Sequence, residues 1–166
     1  MNYNSIYSRR TPLWYACHGN SLEKVKTLLE EGDDPNVGVV GTTGNTPLMV
    51  ACSNKKWKFV KLLLEFRADP NQADSWGETP LIVACEWQSY ECVKLLVDYG
   101  ANIYHYYKPS NIVITPIRMA KRHKWNKYHQ IEIIKYIHSK RREFEQWLYS
   151  IIELPEDMIK EIHSFL

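Results

Sequence analysis

What the chain lacks narrows its class before any motif is read. It contains no run approaching the roughly 18 consecutive apolar residues of a membrane-crossing helix. Its opening, MNYNSIYSRR, has no apolar stretch of the kind a secretion signal carries. These absences lead us to expect a soluble, intracellular protein of the cytoplasm or nucleus, with no membrane partner. Neither sign of charge is in excess. Lys and Arg number 21 against 19 Asp and Glu, a net +2 that argues against a nucleic acid or anionic membrane surface as partner. Motifs for catalysis are missing too: there is no GxSxG, no P-loop and no HExxH, and the six histidines are scattered. No enzyme and no cofactor is therefore expected.

Aromatic residues are plentiful by contrast, with six Trp and eleven Tyr, and the 166 residues suffice for a packed core. The string Thr-Pro-apolar recurs at Thr11, Thr46, Thr79 and Thr115, at spacings of 35, 33 and 36 residues. In register the copies read TPLWYACHGNSLEKVKTLLEEGDDPN, TPLMVACSNKKWKFVKLLLEFRADPN and TPLIVACEWQSYECVKLLVDYGANIY. Ala16, Ala51 and Ala84 coincide, as do Val25, Val60 and Val93, and the pairs Leu28-Leu29, Leu63-Leu64 and Leu96-Val97. A fourth copy, TPIRMAKRHKWNKYHQIEIIKYIHSK, keeps Ala120 but needs about five extra residues near Asn126 to align. Thr-Pro opens a short helix, because Pro needs no amide partner there and Thr can cap. Small Ala lets helices approach closely, and Val with two Leu at helical spacing forms the buried side of a second helix. GDDPN, RADPN and YGAN turn the chain, while GTTGNTP and DSWGETP place Gly44 and Gly77 at tight bends.

The pattern resembles ankyrin repeats, whose hallmarks are TPL, a fixed Ala, a V-x-x-L-L helix and G-A-D-x-N. The likeness covers roughly residues 8 to 138. It departs from the usual pattern at Trp14, Met49, Ile82 and Arg118, where His is usual, and at Arg67, where Gly normally ends a helix. It implies an all-α fold: a curved solenoid of about four helix-turn-helix repeats at 8–37, 43–72, 76–105 and 112–139. After this array (residues 1–139) we expect a capping helix at 140–153 and a final helix at 154–166.

Cys17, Cys52 and Cys85 occupy one register in successive repeats, and Cys92 lies on a second helix with no CxxC partner. Stacked helices sit about 8–10 Å apart, whereas a disulfide needs Cα atoms within about 7 Å and zinc binds sulfur at about 2.3 Å. A ladder of equivalent cysteines therefore predicts small, reduced core residues and no metal site. The basic stretches KRHKWNK (121–127) and KRR (140–142) read as a solvated helix face.

The ankyrin likeness implies that hairpin tips and first-helix ends line one concave partner-binding face. The tips hold Tyr7, Arg10, Thr42, Asn45, Ser75, Trp76 and Glu78. The helix ends hold His18, Ser53, Asn54, Glu86, Trp87, Arg122 and His123. From these, Tyr7, Arg10, His18, Asn54, Trp76, Glu78, Glu86 and Trp87 are the expected target-binding residues. Trp and Arg are common interface anchors. IYHYYKPSN (103–111) reads as an aromatic finger and a second possible contact.

Beyond the repeats, Phe144, Trp147, Leu148, Ile151 and Ile152 recur at i, i+3, i+4, i+7 and i+8, an amphipathic helix. Pro155 disfavours helix at Leu154 and permits a new direction. The ending LPEDMIKEIHSFL resembles the opening of an F-box. That likeness implies binding of a Skp1-like protein of a cullin-RING (SCF) ubiquitin ligase through Leu154, Pro155, Met158, Ile159, Ile162, Phe165 and Leu166. The arrangement is similar to viral ankyrin proteins, the poxvirus PRANC type and those of chlorella viruses. It implies a substrate adaptor in a host cell, monomeric outside its complex. The alternative is a plain ankyrin binding or scaffold module without a ubiquitin role.

Overall fold

Thr-Pro starts a helix in every copy. The computed structural model describes residues 10–39, 43–107, 114–122 and 127–152, and within them Pro opens α1 (Pro12–His18), α3 (Pro47–Ser53), α5 (Pro80–Glu86) and α7 (Pro116–Arg122). Each of these helices has seven residues. The hydroxyls of Thr11, Thr46 and Thr115 accept from the backbone N–H three residues on, at 3.1, 3.3 and 3.2 Å, satisfying a donor that the helix itself leaves orphaned. Thr79 departs from this pattern. Its buried hydroxyl has no hydrogen-bond partner among the described residues.

The longer partners are α2 (Leu22–Glu30), α4 (Trp57–Glu65), α6 (Tyr90–Asp98) and α8 (Lys127–Ile152). The first three end where the backbone enters the left-handed region, at Gly32 (φ 100°), Arg67 (φ 64°) and Gly100 (φ 88°). Arg67 thus adopts the conformation that Gly supplies in its neighbours, at the steric expense of a Cβ.

The helices stack in two rows. One runs α1, α3, α5, α7 and the other α2, α4, α6, α8, each helix touching the next in its row as well as its own hairpin partner. Leu13, Leu48 and Leu81 from one row meet Val25, Val60 and Val93 from the other, all essentially excluded from water. Ala51, Ala84 and Ala120 are fully buried where helices pass closest. Among the described residues the secondary structure is entirely helical apart from one isolated antiparallel bridge, Tyr107 to Ile114.

Polar side chains join neighbouring repeats. Asn36 accepts from the Asp69 N–H (2.7 Å) and donates to the Arg67 carbonyl (3.3 Å). Asn71 repeats both contacts one repeat on, with the Asn102 N–H (2.7 Å) and the Gly100 carbonyl (3.1 Å). The third copy has Tyr104 at this position, and the Arg141 guanidinium of α8 lies 6.0 Å over its ring. Lys56 donates to the carbonyls of Cys17 (3.1 Å), His18 (2.7 Å) and Gly19 at the end of α1, where the helix dipole favours a cation.

α8 closes the stack. Ile133 and Ile137 are fully buried, the Tyr136 hydroxyl donates to Asp98 at 2.6 Å, and Gln130 donates to the Ala120 carbonyl at 3.0 Å at the end of α7. The expected boundary between a repeat ending at 139 and a cap beginning at 140 coincides with no break. No Gly or Pro lies between 127 and 152, so nothing in the backbone ends the helix there.

Candidate functional site

The tip between α4 and α5 is built around Asp74. Its carboxylate accepts from the N–H groups of Trp76 (2.8 Å) and Glu78 (2.9 Å), and its own N–H donates to the Glu78 carbonyl at 2.9 Å. Gly77 makes the bend at φ 85°, and a Cβ there would meet the Cβ of Tyr107 at 3.0 Å. The tip is held on both sides. Ser75 N–H donates to the Thr43 carbonyl at 2.8 Å, His105 Nε2 lies 2.9 Å from the Gly77 carbonyl, and the Tyr107 hydroxyl donates to the Glu78 carboxylate. So braced, the turn turns Trp76 outward, 66% exposed.

Trp87 is delivered by the end of α5. Its N–H still donates to the Val83 carbonyl at 3.0 Å, and the chain then reverses through Gln88 at φ 52°. This leaves the indole 50% exposed beside the tip. Trp76, Trp87, Glu78, Glu86 and Asp74 together line one groove of about 360 Å³, whose other walls include Met49, Ser53, Val83, Thr43 and Asn45. Burial pushes the Glu78 carboxyl above its usual range. The charges of Glu86 and Asp74 act in the same direction, while the Tyr107 hydrogen bond and the Arg122 charge oppose them. Burial also raises the Tyr107 hydroxyl, as does its bond to Glu78.

Of the expected target-binding residues, Trp76, Glu78, Glu86 and Trp87 share this groove. Arg10 and His18 do not line it. Both attach to Trp14 in the first repeat, Arg10 at 4.3 Å over the ring and His18 stacked at 5.6 Å. Asn54 is exposed but turns its amide back to the Val50 carbonyl at 2.8 Å. Tyr7 and all seven residues assigned to Skp1 (Leu154, Pro155, Met158, Ile159, Ile162, Phe165, Leu166) lie outside the described residues.

Sequence reasoning did not single out Asp74, and it read Tyr107 only as part of the 103–111 aromatic finger, not as a brace of this tip. An Asp two residues before an exposed position and three before Gly is a turn signature that could have pointed to Asp74. Nothing in the sequence pairs Tyr107 with Glu78. It also missed a set of aromatics at the starts of the second helices, where Trp57, Tyr90 and Tyr128 line a groove of about 410 Å³. Leu22, Trp57 and Tyr90 hold the same register, a signal that was available.

Cys17, Cys52 and Cys85 are fully buried. Burial pushes Cys17 up to about 12 and raises Cys52 and Cys85 as well. Cys92, for which the sequence offers no partner motif, is also buried, and the nearby Cys52 thiol, ahead of the Ser89 hydroxyl, holds its thiol below the usual range against the effect of burial. Among the described residues no group of three or more His, Cys, Asp or Glu could hold a metal ion, and no helix is long and apolar enough to cross a membrane.

The family model described as Ankyrin repeats (3 copies) matches residues 13–106, more than half of the chain. The chain belongs to the ankyrin repeat family. A search of curated proteins returns no match. Ankyrin repeats are protein-interaction modules, typically without catalysis, so the partners expected of this ankyrin chain are proteins. The matched ankyrin segment contains all ten residues that line the Trp76–Trp87 groove, while Tyr107, which braces Glu78, lies one residue beyond it.

Proposed function

We propose that this ankyrin protein is a non-enzymatic substrate adaptor. Its groove between the second and third repeats holds a target protein, and residues 154–166 recruit a Skp1-like subunit of a cullin-RING ubiquitin ligase. One observation carries the first half: two exposed indoles converge on a single groove, held there by a braced turn and a helix end. Exposed indoles are costly in water, and Trp is enriched among the anchor residues of protein interfaces. The second half rests on the F-box-like sequence LPEDMIKEIHSFL. The resemblance of the arrangement to poxvirus and chlorella virus ankyrin proteins supports a host protein as the target.

The test has two arms. Proteins captured from a lysate by the full chain are compared with those captured by Trp76→Ala and Trp87→Ala variants. Each change is expected to weaken the specific partner by more than about 1 kcal/mol and to leave the melting temperature nearly unchanged. A sharp fall in melting temperature with the partner still bound shows that the indole is packing, not an anchor. Calorimetry with purified Skp1 is then run on the full chain, on a chain ending at Glu153, and on Ile159→Asp with Ile162→Asp. Binding by the full chain alone is the expected result. Target binding without any Skp1 association makes the protein a plain ankyrin binding module.

A further inference from the structure

We propose that the Trp76–Trp87 groove takes a cationic side chain, arginine or lysine, presented by an extended segment of the partner protein. This names the partner chemistry of the site above and rests on that reading. Charge is the first observation. Of the ten residues lining the groove, Asp74, Glu78 and Glu86 are carboxylates and none is Lys, Arg or His. The chain as a whole is almost balanced, 21 basic to 19 acidic, so the imbalance is local to the groove. The Arg122 charge on the neighbouring α7 acts on Glu78 without lining the groove.

The aromatic rings are the second observation. Elsewhere the chain covers indole faces with its own cations: Arg10 over Trp14 at 4.3 Å and Lys58 over Trp57 at 5.5 Å. Among the described residues no cation of the chain covers Trp76 or Trp87. A guanidinium or ammonium arriving from outside would meet indole faces and carboxylates together, and charge-assisted hydrogen bonds are the strong ones. The energetic balance also favours such a ligand. Burial first, and then the charges of Glu86 and Asp74, hold Glu78 above its usual range, and a bound cation offsets the carboxylate repulsion within the groove. Size fixes the form of the occupant. A groove of about 360 Å³ is at the small end of ligand clefts, which run about 300–1,000 Å³, so it accommodates one or two side chains of a segment lying across it.

The test titrates ¹⁵N-labelled full chain with acetyl-Gly-Arg-Gly-amide and with its Lys, citrulline and Glu counterparts, following the indole N–H resonances of Trp76 and Trp87. Shifts with the Arg and Lys peptides, absent with citrulline and Glu and lost in Glu78→Gln with Glu86→Gln, are expected. The glutamine variant retains the shape of both side chains, and an unchanged circular dichroism melt shows that it folds. Equal shifts with the citrulline or Glu peptide, or no shift with any, overturn the inference. The same variants in the capture experiment separate this failure from failure of the adaptor reading. A partner lost from the Trp→Ala variants but retained by the double Gln variant keeps the docking face and removes the cation. A partner retained by both tryptophan variants removes the docking face itself. If the cation is correct, the double Gln variant lowers partner affinity at least about tenfold.

Discussion

Arg67 occupies left-handed backbone at φ 64°, where the equivalent residues Gly32 and Gly100 carry no Cβ. A non-glycine residue pays a steric penalty there of roughly 1–2 kcal/mol, partly offset because Gly loses more freedom on folding. Arg67→Gly is therefore expected to stabilise the protein by about 0.5–1 kcal/mol. Its carbonyl remains in place for the Asn36 amide. Urea unfolding measures this, and an unchanged or lowered midpoint would show that the arginine side chain contributes contacts worth as much as the strain. At Gly77 the same φ region has a different purpose. The missing Cβ is what allows Tyr107 to lie against the tip and reach Glu78. Of these residue-scale features, the glycine bends and the Arg67 anomaly were readable from the turn chemistry of the sequence. The Tyr107–Glu78 contact was not, because it joins residues 29 apart through a stacking that local patterns do not encode.

At the scale of the element, propensity and patterning specify the hairpins, and long-reaching polar side chains align them. Asn36 and Asn71 each bridge to the following repeat by one accepted and one donated bond. Asn71→Ala is expected to cost about 1–2 kcal/mol, since each net hydrogen bond contributes about 0.5–1.5 kcal/mol. Hydrogen exchange should show its effect in the loops at 67–71 and 100–104 rather than within α3. Loss of protection spread evenly over the chain would contradict the local bridge. The Asn of the DPN string recurs visibly in two copies, yet sequence reading takes it only as a turn former. Its reach across the stack becomes apparent once the repeats are superposed in space. Lys56 gives no periodic signal at all, because the equivalent positions hold Ser21 and Ser89. α8 runs unbroken from Lys127 to Ile152. The repeat expected to end at 139 and the amphipathic pattern at 144–152 mark two stretches of sequence, but a breaker residue would be needed to divide the helix, and none is present.

The described residues form a stack in which each repeat packs on its neighbours, so stability accumulates from interfaces and the end units have half as many. The cysteines report on this without any engineering, since Cys17 lies in the first repeat, Cys52 in the second, and Cys85 with Cys92 in the third. Modification needs a thiolate with access to reagent; burial denies access to all four in the native state and also pushes up the thiols of Cys17, Cys52 and Cys85. With iodoacetamide under native conditions, Cys17 is expected to be modified first. Cys52, Cys85 and Cys92 should follow later and together, as mass spectrometry of digested samples would show. Simultaneous labelling of all four would mean that the stack opens as one unit, and early labelling of Cys52 would contradict the arrangement. α8 adds a further property at this scale. At about 1.5 Å per residue its 26 residues span roughly 39 Å, against seven to nine residues in every other described helix. Such a helix is a measuring rod: each residue fixes both an axial height and an angle of about 100° around the axis. Whatever joins its far end is therefore displaced and rotated by a set amount relative to the groove, and adding or removing one residue would swing it by about that angle while barely altering its distance.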